Sequence, residues 1–323
     1  MVEALLTALG ESAVKYPLVE LEKDGELLGA GLVPHLEKIE YIDCIDNEVD
    51  GLTLSFSKMF LPPEKGDKLK AWIGFGSTLD YIGEFYVTGW MERPHAAKLE
   101  VYLTPVDFSK KIKEKRTTSY DNMTLTKLLE EISKRHELKV VNDLDKVFYK
   151  HKAQTNESDL AFMKRLADEQ NATFAIKNGT IIFKPKSLKK DKDLPKAVID
   201  MAEISNLEIT HQDKTEYNSG EAKYHCTKKA GLVTVTVGEE EAKLTIEGSY
   251  KDEAEARAAI IAELERENAG QVRGSFDATT QELAAGVLLQ LIMGEKSEDD
   301  LQITEVRHTI DYNGYIKRVS FTK

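Results

Sequence analysis

Carboxylates are the side chains of this sequence that are numerous enough to suggest acid–base chemistry. Asp and Glu together account for 56 of the 323 residues, and two suitably placed carboxylates are the minimum requirement of a glycoside hydrolase. Asp43, Asp46 and Asp50 lie in a turn-like stretch before a predicted strand. A calcium loop would need denser oxygen ligands and a glycine-bearing loop pattern. We therefore interpret the three aspartates as turn and strand-edge residues.

Histidine and cysteine show no metal-ligand spacing. The seven histidines are scattered, at positions 35, 95, 136, 151, 211, 225 and 308. His225 and Cys226 are adjacent and would point to opposite faces of a strand, which is unfavourable for binding one metal ion. Cys44 and Cys226 are far apart in the sequence, so we expect reduced thiols and no disulfide framework.

Motifs for nucleotide binding and nucleophilic catalysis are absent. The sequence contains no G-x-x-x-x-G-K-[ST], no strand–GxGxxG–helix unit and no H-E-x-x-H, C-x-x-C or G-x-S-x-G. Gly74-Phe-Gly76 lacks the third glycine and leads into another strand, so it predicts a turn. We predict no catalytic residue, no cofactor and no metal site, and therefore no enzyme.

Composition restricts the environment and the partners of the chain. Its apolar fraction is 41%, its charged fraction is 31%, and its formal net charge is -12. An acidic surface repels polyphosphate, which disfavours stable nucleic-acid binding. No segment approaches the roughly 18 apolar residues of a membrane span, and the acidic residue Glu3 stands where a secretion signal would be basic. We expect a chain that is made and kept in aqueous surroundings.

Hydrophobic periodicity divides the chain into two β-rich regions around a small α+β module. Residues 1–117 alternate apolar and polar side chains in several short stretches, typical of a barrel or sandwich. Residues 118–186 predict two helices, capped by Thr124 and Ser158, and a hairpin at Asn178-Gly179. The charged stretch 187–195 is interpreted as a solvated linker.

The last region, residues 187–323, predicts strands again, with a helix inserted at 252–269. Asp252 and Glu255 form a capping box at its start, and Gly270 supplies its stop. The fold class is therefore α+β and mainly β. We expect two related β-barrel domains, one on each side of the module.

A repeat supports the relation between the two β-rich regions. Glycines stand eight residues apart in both, at Gly66 and Gly74 and again at Gly286 and Gly294, with Leu69 aligned to Leu289. After loops of unequal length, residues 85–88 align with 301–304, and a last strand follows in each region. Glycine suits tight turns of the backbone at such places. The repeat predicts two barrels of one design, and chance similarity between β-rich segments is the alternative.

The stretch from Gln154 to Ala167 resembles the Q-x-x-E-S-D-x-x-F-x-x-R-L-A pattern of the phage late control gene D family, the tail hub proteins. Weaker matches at residues 41–54, 62–69 and 82–87 occur in the family's order. In the long motif, Ser158 is placed to cap a helix, with two acids beside its positive end. The remaining motif residues that we single out are Glu157, Asp159, Phe162, Arg165 and Leu166.

The resemblance implies a structural hub of a contractile phage tail or a phage-tail-like particle. Members of this family are expected to form a homotrimer whose two barrels per chain give a pseudo-hexameric ring around an axial channel. The implied partners are the tail tube protein, a separate spike protein, other baseplate proteins and the tape-measure protein. The chain ends after the second predicted barrel, which favours the phage or tailocin type. The resemblance implies assembly in the host cytoplasm and a final location in the tail baseplate.

Two other functions are considered beside the hub. A cell-wall-degrading enzyme of the tail tip would need a pair of buried carboxylates in a cleft, one with a raised pKa. A carbohydrate- or receptor-binding module would expose clustered aromatic residues, whereas Trp72 and Trp90 lie in strand-like runs and are expected in the core of the first barrel. For the hub, the net charge suggests an acidic channel wall along which DNA or protein slides without sticking.

Overall fold

The computed structural model describes most of the chain: residues 17–29, 33–45, 49–58, 60, 63–75, 78–107, 111–185, 196–212, 217–226, 231–239, 242–248, 250, 252–268, 270–279 and 281–323. Strands make up 60% of the described residues, the fold is mainly β with antiparallel sheets, and three α-helices are described. The predictions for residues 1–16, Asp46, Gly76 and the linker 187–195 lie outside the described residues.

The first β-rich region forms seven strands with alternating burial, as its sequence periodicity predicts. In the fourth strand, every second side chain is buried, which is the pattern of a sheet with one face against a core. The strands are β1 (Pro17–Lys23), β2 (Glu26–Leu27), β3 (Leu36–Cys44), β4 (Gly51–Phe56), β5 (Lys68–Phe75), β6 (Thr78–Arg93) and β7 (Lys98–Thr104).

The α+β module has its own core, built by two amphipathic helices on short sheets. Leu125, Leu128, Leu129 and Ile132 recur at helical spacing and are fully buried. The first helix is capped by Thr124, whose side chain accepts a hydrogen bond from Lys127 N. The elements are β8 (Lys115–Thr124), α1 (Leu125–His136), β9 (Lys139–Asn142), β10 (Phe148–Ser158), α2 (Asp159–Glu169), β11 (Ala172–Lys177) and β12 (Thr180–Pro185).

The last region contains a second small unit in addition to strands of the main sheet. The strands predicted near residues 221–227 and 232–237 leave the main sheet, because they pack on the inserted helix around the buried residues Ala222, Val235, Ala256 and Ile260. The elements are β13 (Lys196–Asp200), β14 (Ser205–His211), β15 (Ser219–Cys226), β16 (Gly231–Val237), β17 (Lys243–Ile246), α3 (Glu253–Asn268), β18 (Val272–Ala278), β19 (Leu288–Met293), β20 (Lys296–Asp311) and β21 (Gly314–Thr322).

Thirteen strands from both ends of the chain join one continuous sheet. Its order is β14-β18-β21-β20-β3-β4-β7-β6-β5-β1-β2, with β19 beside β20 and β13 beside β19. The expected closed barrels are not found: none of the sheets formed by the described strands closes on itself. The reason is the antiparallel pairing of β20 with β3, which joins the two regions into one sheet. In two closed barrels, each of these strands would pair only with strands of its own region.

The two regions share one strand order within this sheet. The first contains the order β1-β5-β6-β7-β4-β3, and the second contains β13-β19-β20-β21-β18-β14. Each strand of one order therefore has a counterpart in the other. One difference is direction, since β1 runs antiparallel to β5 whereas β13 runs parallel to β19.

Equivalent irregularities make the correspondence residue-specific. The pairing of β6 with β7 shifts register between Val87 and Gly89, and that of β20 with β21 shifts between Ile303 and Glu305. The skipped residue is a threonine in both strands. Thr88 Oγ1 donates to a carbonyl of β7 at 3.0 Å, and Thr304 Oγ1 donates to a carbonyl of β21 at 3.2 Å.

The repeated glycines lie at corresponding turns. Gly66 has a φ of 87° and Gly286 a φ of 93°, a region in which glycine is strongly favoured. Gly66 N donates to Val87 O, and Gly286 N donates to Ile303 O, both at 2.8 Å. The repeat in the sequence thus coincides with repeated backbone geometry.

Each β-rich region has an apolar core, and the first core also includes Ile310 and Tyr315 of the last region. The first core contains Leu52, Phe85 and Leu103, and the second contains Phe276, Leu301 and Val319. Trp90 packs against the first core, as expected. Trp72 does not, because the alternation along β5 turns it to the other face, where its ring lies 5.1 Å from that of Tyr81. No helix of the described residues is long and apolar enough to cross a membrane.

Candidate functional site

The described clefts do not contain a catalytic arrangement of carboxylates. One cleft, of about 510 Å³, opens beside the first core and contains Glu64 and Asp67. Asp67 accepts hydrogen bonds from Lys23 Nζ at 2.7 Å and from Glu64 N at 3.1 Å, so it is held in a turn. Another cleft, of about 450 Å³, is lined by Lys113, Ser158 and Lys164 and has no acid in its lining. Glu64 and Asp67 of the first cleft belong to one turn, with Asp67 engaged by Lys23, and the second cleft has no acid, so neither cleft shows the two opposed carboxylates of a glycoside hydrolase.

The histidines of the described residues serve different local contacts. Within this part of the chain, no group of three or more His, Cys, Asp or Glu side chains could hold a metal ion. His308 Nδ1 lies 2.6 Å from Tyr315 Oη, and burial, with a smaller effect of Lys317, lowers the pKa of His308 to about 3. His225 and Cys226 lie in β15, and their side chains are outside the described part.

A buried ionic junction connects the three regions of the chain, and we define it as Asp43, Asp50, Lys177 and the amide of Ala285. Lys177, at the end of β11 in the module, forms an ion pair with Asp43 and lies 3.4 Å from Asp50. Asp43 Oδ2 accepts a hydrogen bond from Ala285 N of the last region at 2.7 Å. Asp50 Oδ1 accepts one from Cys44 N at 3.1 Å. Asp43 therefore contacts the module through Lys177 and the last region through Ala285 N.

Burial shifts the pKa values of the charged groups in the ionic junction. It raises the pKa of Asp50 to about 6, although Lys177 opposes this shift, and Asp43 adds to it. Burial by itself would lower the pKa of Lys177, but Asp50 and Asp43 raise it above the ordinary value. The lysine therefore stays charged between the two acids, which allows two aspartates only 7% and 5% exposed to lie close together.

The long motif brings its aspartate into a second buried ionic cluster. Asp159 is fully buried and receives two hydrogen bonds from Arg135 of α1, at 3.0 and 3.1 Å. His136 Nε2 lies 2.7 Å from Asp159 Oδ2, and Gln154 Nε2 donates a hydrogen bond to Asp159 Oδ1 at 2.9 Å. Arg116 of β8 approaches within 3.4 Å. The aspartate thereby holds α2 against α1 and the β8–β10 pair.

These donors determine the charge state of Asp159. Burial alone would raise its pKa, but hydrogen bonds from His136, Arg135 and Gln154 hold it well below the ordinary value. The carboxylate is therefore ionised at all physiological pH values. The sequence prediction placed it beside the positive end of the helix, whereas the structure shows that its main partners belong to a different helix.

The other motif residues cap, pair or pack. Ser158 Oγ accepts a hydrogen bond from Ala161 N at 3.2 Å, the geometry of an N-cap. Glu157 pairs with Arg165, whose guanidinium also bonds Glu169 at 2.8 Å. Phe162 is fully buried, as is Leu166 one turn later. In the described structure, the motif thus builds and positions one helix.

Two of the four repeated glycines have further constraints. A Cβ on Gly74 would lie 1.9 Å from Thr78 O, so a side chain cannot fit there without moving the backbone. Gly294 has a φ of 67° and open space around it. Gly286 directly follows Ala285 of the ionic junction, and all four glycines lie in or next to the strands of the hairpins β5–β6 and β19–β20, whose turns they shape.

Sequence reasoning missed the cations of both sites. Lys177 was part of a predicted hairpin, and the only signal for a special role was a charge directly before the Asn178-Gly179 turn. Arg135 and His136 end the first helix, where basic residues are common because of the helix dipole. Neither signal identifies a partner that is distant in sequence.

Comparison with known proteins gives a family match over most of the chain. The family model described as "Phage tail baseplate hub (GPD)" matches residues 110–314. A curated relative, the "Probable baseplate hub protein" of Escherichia phage 186, is 33% identical over 124 residues. That match covers 38% of this chain and 32% of the relative's length.

Solved structures of low sequence identity share the fold over nearly the whole chain. A tail protein of prophage MuSo2 from Shewanella oneidensis has a TM-score of 0.70 at 14% identity, covering 94% of this chain and 98% of its own. A tail protein from Neisseria meningitidis MC58 has a TM-score of 0.69 at 8% identity, covering 95% and 97%. These likenesses establish the fold.

Proposed function

The chain belongs to the phage tail baseplate hub (GPD) family, and from this premise we propose that three copies form the ring that joins a sixfold tail tube to a threefold spike. The ring would enclose an axial channel. The protein would act as a structural part of the tail baseplate and not as an enzyme. Its assembly would take place in the host cytoplasm before the particle is complete.

The observation that carries this proposal is the shared strand order of the two β-rich regions. Each copy supplies two units with the same order, the same register shift and the same glycine turn. Three such copies present six similar units, which suits a tube of sixfold symmetry, while the assembly itself remains threefold. A chain with a single β unit would lack this match.

The regions of the chain would divide these tasks. We propose a first β domain over residues 1–117, a second over 187–323, with its helix inserted at 252–269, and the module 118–186 between them. The two β domains share one strand order, and we propose that both face the tube protein. A separate spike protein, other baseplate proteins and the tape-measure protein are the further proposed partners.

The cell-wall-degrading enzyme has less support. Its requirement was a pair of buried carboxylates with a raised pKa, and Asp43 with Asp50 is the pair that comes nearest to it. Lys177 occupies the space between the two acids, and the amides of Cys44 and Ala285 take up further lone pairs. The pair does not line either described cleft. Its contacts are those of a structural junction.

An acidic channel wall remains a proposal based on the net charge of -12. Along the β3–β20 seam the acids are paired: Glu40 contacts Lys38 at 2.6 Å and Arg307 at 2.9 Å, and Arg307 contacts Glu305 at 3.2 Å. Any excess of negative charge in the lumen must therefore come from other parts of the sheet.

The mass of the assembled protein tests the proposed hub. Native mass spectrometry of the full chain should give three times the chain mass of 36.3 kDa, and mixing with the candidate spike should add one spike trimer to each ring. The same chain denatured and measured by the same instrument is the control. A protein that remains a single copy, alone and with candidate spike and tube proteins, would contradict the proposal.

A further inference from the structure

The seam between the two β-rich regions provides a template for a contact between chains. In this seam β20 pairs with β3, Glu305 opposite Cys44 and Ile310 opposite Ile39. Arg307 Nη1 donates to Glu40 Oε1 across it at 2.9 Å. The strand counterparts of β20 and β3 are β6 and β14, and in the described part of the chain neither is paired with another strand along the corresponding edge.

The positions of the two free edges follow from the shared register. Since Val87 corresponds to Ile303 and the register shifts match, Gly89 to Arg93 of β6 correspond to residues 305–309 of β20. On the other side, the pairing of β14 with β18 and of β3 with β4 aligns Glu208 with Glu40. Residues 208–212 thus correspond to residues 40–44 of β3.

We propose that β6 of one copy pairs antiparallel with β14 of the next copy, in the register of the internal seam. Gly89 then lies opposite Gln212, Met91 opposite Thr210, and Arg93 opposite Glu208. The inference rests on the proposed hub, because it specifies how the three copies contact each other. Internal and intermolecular seams alternate around the ring, so that six similar β units form one continuous sheet.

Charge and exposure favour this occupant of the two edges. Arg93 and Glu208 are both exposed in the single chain, and the proposed register places them directly opposite each other. In the internal seam the corresponding face holds the Arg307–Glu40 pair, so opposite charges would stabilise both seams. Exposed strand edges with unpaired amides and carbonyls favour pairing with another chain. The contact is head-to-tail, and such contacts form a closed ring when the rotation per copy permits it.

Cysteine cross-linking of the purified trimer tests the register. Directly opposite residues of antiparallel strands have Cα atoms about 4.5 to 5.5 Å apart, within reach of a disulfide. Met91→Cys combined with Thr210→Cys should give covalent trimers on mild oxidation. The matched control is Met91→Cys with His211→Cys, because His211 points to the opposite face and should leave the chains unlinked. Each single substitution controls for the two native cysteines.

The outcomes separate this inference from the proposed hub. Trimers by native mass that remain unlinked in the Met91→Cys/Thr210→Cys protein overturn the pairing and leave the hub intact. Linkage in the His211→Cys control instead overturns the register. A protein that forms no trimer at all contradicts the hub and this pairing together.

Charge reversal supplies a second test that does not depend on disulfide geometry. Arg93→Glu places two acids opposite each other and should raise the dissociation constant of the trimer at least about tenfold. Adding Glu208→Arg should restore most of the affinity. An unchanged trimer in the Arg93→Glu protein, or a double variant as weak as the single one, would contradict the proposed contact.

Discussion

Replacing Lys177 by methionine should lower the free energy of unfolding by about 3 to 5 kcal/mol. The substitution keeps a long unbranched side chain, one atom shorter than lysine, but leaves Asp43 and Asp50 buried together without their cation. Removing one partner of a buried ion pair is costly because the remaining charge has lost its hydration without compensation. Chemical denaturation monitored by circular dichroism measures the difference directly.

Lys184→Met is the matched control for this effect. Lys184 lies on the adjacent strand β12, its side chain is 51% exposed, and its contact with Asp143 is 4.0 Å long. Its loss should change the stability by less than about 0.5 kcal/mol. Equal effects of the two substitutions would refute the structural role assigned to the ionic junction. Adding Asp50→Asn to the Lys177→Met protein should recover part of the loss, because one of the uncompensated charges is then removed.

The effect of Lys177→Met should depend on pH. Because the folded pKa of Asp50, about 6, is above its ordinary 3.8, its contribution to stability is complete below 3.8 and is lost as the pH rises through about 6. Without Lys177 the pKa of Asp50 rises further, so the loss of stability continues to higher pH. The difference between the variant and the unchanged protein should therefore grow between about pH 5 and about pH 8. A difference that shrinks over this interval would contradict the sign of the argument.

Replacing Asp159 by asparagine should lower the free energy of unfolding by about 3 kcal/mol or more. Arg135 and Arg116 would then lack the buried anion that they share, and Gln154 and His136 would lose a charged acceptor. The control is Asp121→Asn, which removes the acid of an exposed Asp–His pair on the β8–β10 hairpin, with Asp121 54% exposed. We expect the control to remain within about 0.5 kcal/mol of the unchanged protein.

The pH dependence of Asp159→Asn should be opposite in sense to that of Lys177→Met. The folded pKa of Asp159 is depressed, so its contribution is complete above 3.8, the ordinary value, and is lost as the pH falls through the folded pKa. The deficit of the variant should be full at neutral pH and decrease only in acid below about pH 4. A deficit that is largest in acid would contradict the claim that the ionised carboxylate of Asp159 stabilises the fold. Denaturation curves collected across this range provide the comparison.

Local periodicity was sufficient to predict most of the elements. Apolar residues at helical spacing predicted the helices that begin after Thr124 and Ser158, and both caps have the expected side-chain hydrogen bonds. The Asn178-Gly179 turn likewise joins the paired strands β11 and β12. These features depend on neighbours within a few residues, which a sequence pattern contains directly.

Long-range pairing was predictable only in part. The spacing of Gly66 and Gly286 indicated related turns, yet the seam between β20 and β3 joins residues more than 260 positions apart. No local pattern specifies such a partner, and the expectation of two closed barrels failed there. The separate sheet of β15, β16 and β17 was missed for the same reason, since its strands alternate like those of the main sheet.

The ionic sites were hidden from sequence reasoning because each combines distant residues. Asp43 and Lys177 are 134 positions apart, and Asp159 takes its strongest donors from a helix that precedes it by more than 20 residues. The motif around Asp159 was nevertheless recognisable as a pattern. Its physical meaning, an acid that holds two helices together, emerged only from the packing.

The central claim is that a duplicated β unit allows a threefold assembly to match sixfold symmetry. Electron cryo-microscopy of the purified ring, viewed along its axis, tests this most directly. The account predicts six similar lobes in the ring, with threefold symmetry once detail distinguishes the two β-rich regions. A ring of any other copy number, or one in which only one β-rich region of each chain surrounds the axis, would contradict it.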